Sequence, residues 1–139
     1  MLFGATNVIE RYMDESNIKY LRRGEKAWMQ MWNLGGEVAA VAVLQTEETV
    51  LVSAPVALGA DLRPPEDAIR ELLRRNGGCH FGRYAWIEGE GLFFQADVLL
   101  DGLTREQFLF VNLAVVNELR SNLAEIRRLL TGDGPPRLF

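Results

Sequence analysis

Residues 27–56 read AWMQMWNLGGEVAAVAVLQTEETVLVSAPV, and the rest of the architecture is built around them. Ala27 to Leu34 is a strand rich in Trp and Met. Gly35-Gly36 is a two-residue hairpin signal, and Glu37 to Thr46 follows as an apolar, β-branched strand. Glu47-Glu48 turns the chain again, and Thr49 to Val56 is the next strand. Parallel neighbours need crossovers of about a dozen residues or more, so strands joined by two-residue turns form an antiparallel meander.

Outward from the meander, helices and a second hairpin follow. Upstream, Ile18 to Arg22 reads as a weak strand or an extended lead-in, with Arg23-Gly24-Glu25-Lys26 as a turn. A first helix is expected over Thr6 to Glu15, with Asn7 and Glu10 at capping-box spacing and Val8, Ile9, Tyr12 and Met13 on one face. Downstream, Pro64-Pro65 opens a helix from about Pro65 to Asn76, and Asn76-Gly77-Gly78 stops it. Cys79 to Glu88 and Leu92 to Leu100 are expected to pair across Gly89-Glu90-Gly91. Thr104 caps a last helix running to Leu130, with Gln107 at the capping-box position and apolar residues stepping by three and four. Gly132 marks its stop.

The expected order is α-β-β-β-α-β-β-α: an α+β domain with an antiparallel sheet of about five strands packed by helices. Residues 1–132 are expected to form this single domain, and 133–139, which include Pro135-Pro136, a flexible C-terminal tail.

Three segments carry a likeness beyond element order. They are Glu71-Leu72-Leu73-Arg74-Arg75-Asn76, then Phe81-Gly82-Arg83-Tyr84-Ala85, then Gly91-Leu92-Phe93-Phe94-Gln95-Ala96-Asp97, leading into the long helix. In these the chain resembles the YbjN family, whose fold is similar to that of type III secretion chaperones. The resemblance implies a non-enzymatic, chaperone-like or adaptor role, usually as a homodimer, and brings no catalytic residues with it.

Composition bounds the function independently. The chain has 139 residues, 48% of them apolar and 24% charged, which is ordinary globular composition. Net charge is −4, and the arginines come in small groups with acids nearby, so direct nucleic-acid binding is not expected. The longest clean apolar run, Val38 to Leu44, is far short of the roughly 20 residues that span a bilayer. No basic region precedes the apolar residues at the amino terminus, and a single cysteine forms no internal disulfide. The expectation is a cytoplasmic protein without membrane or cofactor.

Catalytic patterns are missing as well. His80 is the only histidine and Cys79 the only cysteine; placed next to each other on a strand they would point to opposite faces. No nucleophile elbow, Walker loop or dinucleotide fingerprint occurs. The chain is therefore expected not to be an enzyme.

What stands out instead is apolar surface. On a strand Trp28 and Trp32 share one face and Met29 and Met31 the other, so both faces are large and apolar. Phe108 to Val116 is apolar nearly all round the last helix, which demands burial on more than one side. Trp28, Met29, Met31, Trp32, Phe108 and Phe110 are the candidate contacts to a protein partner or a second subunit. The resulting expectation is a dimeric protein-binding module; the alternative is a small-molecule sensor with an apolar pocket between sheet and helices.

Overall fold

The computed structural model of the chain describes residues 7–59, 63–79 and 81–131. Its elements are α1 (Val8–Glu15), β1 (Tyr20–Gly24), β2 (Ala27–Asn33), β3 (Val38–Gln45), β4 (Thr49–Leu58), α2 (Glu66–Gly78), β5 (Arg83–Ile87), β6 (Gly91–Leu99) and α3 (Arg105–Thr131). The strands make one sheet in the order β1-β2-β3-β4-β6-β5, antiparallel throughout. The α+β class is as expected. The lead-in segment is a strand, β1, so the meander has four strands and the sheet six rather than about five.

Local chemistry sets the element ends. Asn7 Oδ1 caps α1, accepting from the N–H groups of Ile9 at 2.8 Å and Glu10 at 3.2 Å. The expected reciprocal arm is absent, because the Glu10 carboxylate turns to Arg22 and Trp28 instead. At α3 the capping box is complete: the Gln107 N–H donates to Thr104 Oγ1 at 3.1 Å, and the Thr104 N–H donates to Gln107 Oε1 at 3.0 Å. In the β2–β3 turn Asn33 Oδ1 accepts from the N–H groups of Gly35 and Gly36, both at positive φ.

Several boundaries moved: β1 is displaced to Tyr20–Gly24, and β4 extends to Leu58. α2 runs through Gly77 and Gly78, and Cys79 is its C-cap, so β5 begins at Arg83 and not at Cys79. Cys79 is thus not a strand residue, and the opposite-faces argument does not apply to it. His80, the Thr6 start of α1, the Gly132 stop and the 133–139 tail lie outside the described residues.

All three helices cover one face of the sheet. Trp28, Gln30 and Trp32 of β2 pair in register with Val43, Val41 and Ala39 of β3, and the same face continues through Val52 and Ala54 of β4 to Ala96 and Phe94 of β6. Against this surface α3 buries a stripe that includes Phe108, Val115, Leu119 and Ile126. Each such side chain contributes about 1.5–3 kcal/mol when withdrawn from water. Pro55 sits in β4 at a register shift between Pro55 and Ala57 and beyond Ser53, the last residue paired to β3, as suits a residue without an N–H. Among the described residues no helix is long and apolar enough to cross a membrane.

Candidate functional site

On α2, Ile69, Leu72, Leu73 and Asn76 follow one another at helical spacing and form a single stripe. The sheet covers only part of it. Leu72 is buried, whereas Ile69 is exposed and Leu73 retains 66% of its surface. Facing the stripe are Tyr84 and Trp86 of β5 and Leu92 of β6, and together these walls enclose a cavity of about 800 Å³. Arg63, Glu88 and the Asn76 amide supply its polar groups.

Asn76 fixes the geometry of this groove. Its Nδ2 donates to the Tyr84 carbonyl at 2.9 Å, and its Oδ1 accepts from the Tyr84 N–H at 2.7 Å. β5 is an edge strand, so these are backbone groups that the sheet leaves unpaired. One side-chain amide thus stands in for a seventh strand at this residue and ties α2 to the sheet.

The floor is equally fixed. The Tyr84 ring meets Phe94 edge-on at 4.8 Å, and its hydroxyl donates to the Glu118 carboxylate on α3. Burial first, and then that bond to Glu118, push the Tyr84 phenol far above its ordinary value, so it stays a neutral donor. Asn122 Nδ2 donates to the same carboxylate at 2.8 Å, and Arg75 Nη2 bridges α2 to Glu125 of α3 at 2.7 Å. Burial, with the Glu118 charge as a second cause, also raises the Cys79 thiol. A raised thiol is mostly protonated at neutral pH and is a weak nucleophile.

The residues singled out from sequence fall in three separate places. Of the candidate contact residues, Trp28 and Phe108 pack inside the chain, 1% and 0% exposed. Trp28 Nε1 donates to Glu10 Oε2 at 2.8 Å, and Phe108 lies against Tyr12 with ring centroids 6.2 Å apart. Trp32 is half-buried on the helix side and donates to Gln30 Oε1 at 2.7 Å. Met29 and Met31 lie on the opposite face of the sheet, Met29 half-buried and Met31 exposed. Phe110 is exposed on α3 and meets Phe81 edge-on at 4.6 Å. The groove residues Ile69, Leu73 and Trp86 were not among the candidates. The signal for them was present, since Ala68, Ile69, Leu72 and Leu73 make a wider stripe than one packed face of a short helix needs.

Residues 6–115 match the YbjN family, described as "Putative bacterial sensory transduction regulator". Among solved structures the chain is similar to the crystal structure of YbjN from E. coli, with a TM-score of 0.62 and 14% sequence identity over 86% of this chain and 88% of that one. At that identity the likeness is one of fold. No curated protein matches the sequence.

Proposed function

This chain belongs to the YbjN family, and we propose that it acts there as a non-enzymatic, chaperone-like or adaptor regulator that works by binding a partner protein, with the α2–β5–β6 groove taking an apolar segment of that partner. The observation that carries this reading is the exposed apolar stripe of Ile69, Leu73 and Trp86 around a preformed cavity of about 800 Å³. Exposed apolar surface gathered in one concavity, rather than scattered singly, is what interaction sites present. Strand addition along β5 is blocked at Tyr84 by the Asn76 amide, so side chains seated in the groove carry the affinity.

The proposed function is a binding one because, among the described residues, the groove offers donors and apolar walls without an activated nucleophile: Tyr84, which lines it, is a neutral phenol, and Cys79 at the end of α2 has a raised thiol. Nucleic acid is not the proposed partner. Arginines that could have met phosphates are paired with acids, among them Arg22 with Glu10, Arg75 with Glu125 and Arg127 with Glu37. The proposed state is a cytoplasmic homodimer.

The test is a paired affinity capture from the native host with the wild type and with Leu73→Glu. A partner recovered only by the wild type, at matched melting temperature, supports the groove; equal recovery by both removes it. One observation favours a second reading. A cavity of about 800 Å³ with apolar walls and a few polar groups also has the size of a small-molecule site. If metabolites raise the melting temperature of the wild type and not of Leu73→Glu, the chain is a ligand sensor.

A further inference from the structure

We propose that the sheet face turned away from the helices is the surface on which two copies of this chain meet, forming a sandwich of two sheets; this rests on the dimeric, protein-binding reading above and names the surface that makes the dimer.

An antiparallel sheet with one solvated side alternates apolar-inward and polar-outward residues. Here most of the outward positions are apolar, although Asn33, Thr49, Ser53, Gln95, Asp97 and Arg83 share the face. Leu21, Met31, Val38, Leu44 and Leu99 all stand on this face and are all exposed, Met31 at 50% and Leu99 at 71%. Residues 38–44 of β3 carry no charged side chain on either side. Along the middle of the face Ala42 pairs with Ser53 in register, and Ser53 with Gln95, whose Nε2 donates to Ser53 Oγ at 3.2 Å. Ala42 and Ser53 therefore make a low centre beside taller side chains.

Width, area and charge select the occupant. Six strands about 4.8 Å apart, with central strands about 24 Å long, give a footprint of roughly 650 Å². That approaches the ~800 Å² per partner of a standard interface before side-chain relief is counted. A single peptide strand or helix, about 5–10 Å wide, would leave most of it wet. In an isologous dimer the face meets itself, so an excess of either sign would repel. Among the described residues paired into this face, the charged ones are Arg83 and Asp97, which neutralise each other at 3.6 Å; Arg23 stands at the β1 edge, in the register shift after Arg22. A wide, mostly apolar surface with little net charge fits a second copy of itself, packed about 10 Å away as sheets pack face to face.

Sedimentation equilibrium of the full chain from 1 to 100 µM tests this. The wild type is expected at twice the 15.7 kDa chain mass. Met31→Glu and Leu44→Glu, each setting like charges against each other across the interface, are expected to weaken dimerisation at least 100-fold with an unchanged circular dichroism spectrum. Leu73→Glu, in the groove, is expected to leave the dimer intact. If either face variant does not fold, Met31→Gln and Leu44→Gln carry the same expectation with a smaller shift. A wild type that is monomeric at 100 µM overturns both this proposal and the dimeric reading. A dimer that survives the face variants but dissociates with Leu73→Glu overturns this proposal alone and moves the interface to α2. A monomer whose face variants lose a captured partner assigns the face to that partner and overturns the proposal equally.

Discussion

Gln30 of β2 and Asn112 of α3 exchange two hydrogen bonds in the middle of the core: Gln30 Nε2 donates to Asn112 Oδ1 at 2.6 Å, and Asn112 Nδ2 donates to Gln30 Oε1 at 3.0 Å. Both side chains are fully buried. The pair satisfies two amides that would otherwise be costly in apolar surroundings, and it fixes where α3 sits along β2. Gln30 Oε1 also accepts from Trp32 Nε1, so the pair sets the Trp32 rotamer as well.

Replacing Asn112 by Leu leaves the Gln30 amide without its best partner, and the loss is expected to be about 2–3 kcal/mol. Gln30→Leu combined with Asn112→Leu removes both polar groups and should recover much of that. Urea unfolding of the two single variants and the double variant measures the coupling. Strict additivity of the single costs would show that the pair does not act as a unit.

Asn76→Ala frees both backbone groups of Tyr84 at the sheet edge. The expected cost is about 1–2 kcal/mol, with faster amide hydrogen exchange at Tyr84 and little change at Phe94. Unchanged protection at Tyr84 would mean that the amide is incidental to the groove.

Glu10 gives the fold an acid limb. The Arg22 guanidinium holds its carboxyl below the usual glutamate range, outweighing the opposing effect of burial, with the Trp28 indole helping. A lowered folded-state pKa means that the stabilisation is fully present above the unfolded value of about 4.3 and is lost as pH falls through the folded value. Glu10→Gln should therefore flatten the fall in melting temperature between about pH 5 and pH 3. An acid limb identical to that of the wild type would assign it to other carboxylates.

Trp28 and Met31 lie three residues apart in β2 and are expected to behave oppositely. Trp28→Ala empties a core position and should cost about 3–5 kcal/mol. Met31→Ala, on the open face, should change monomer stability by less than about 0.5 kcal/mol. Chemical denaturation in a monomerised Leu44→Glu background separates them, and a large loss for Met31→Ala there would place Met31 in the monomer's own core.

The class of the fold was legible in the sequence because its signals are local. Gly35-Gly36 and Glu47-Glu48 stand where tight turns must be, Thr104 and Gln107 name each other as a cap, and the last helix shows its buried stripe over about six turns. The same locality explains the misplaced edges. Gly77 and Gly78 look like a stop, yet both are helical, and the turn closes one step later, where the Cys79 N–H donates to the Asn76 carbonyl at 3.3 Å.

Which apolar residues are covered was decided only in three dimensions. Alternation put Trp28 and Met31 on opposite faces of β2 but could not say which face the helices would take, since both are large and apolar. Burial is a property of what packs above a residue. That depends on the sheet order, which inserts β6 between β4 and β5, and on Asn112 meeting Gln30 across 82 positions of chain. The groove has the same origin. Leu73 and Trp86 are ordinary apolar residues in sequence, and they line one cavity because the Asn76 amide joins the end of α2 to β5, the edge strand among the described residues.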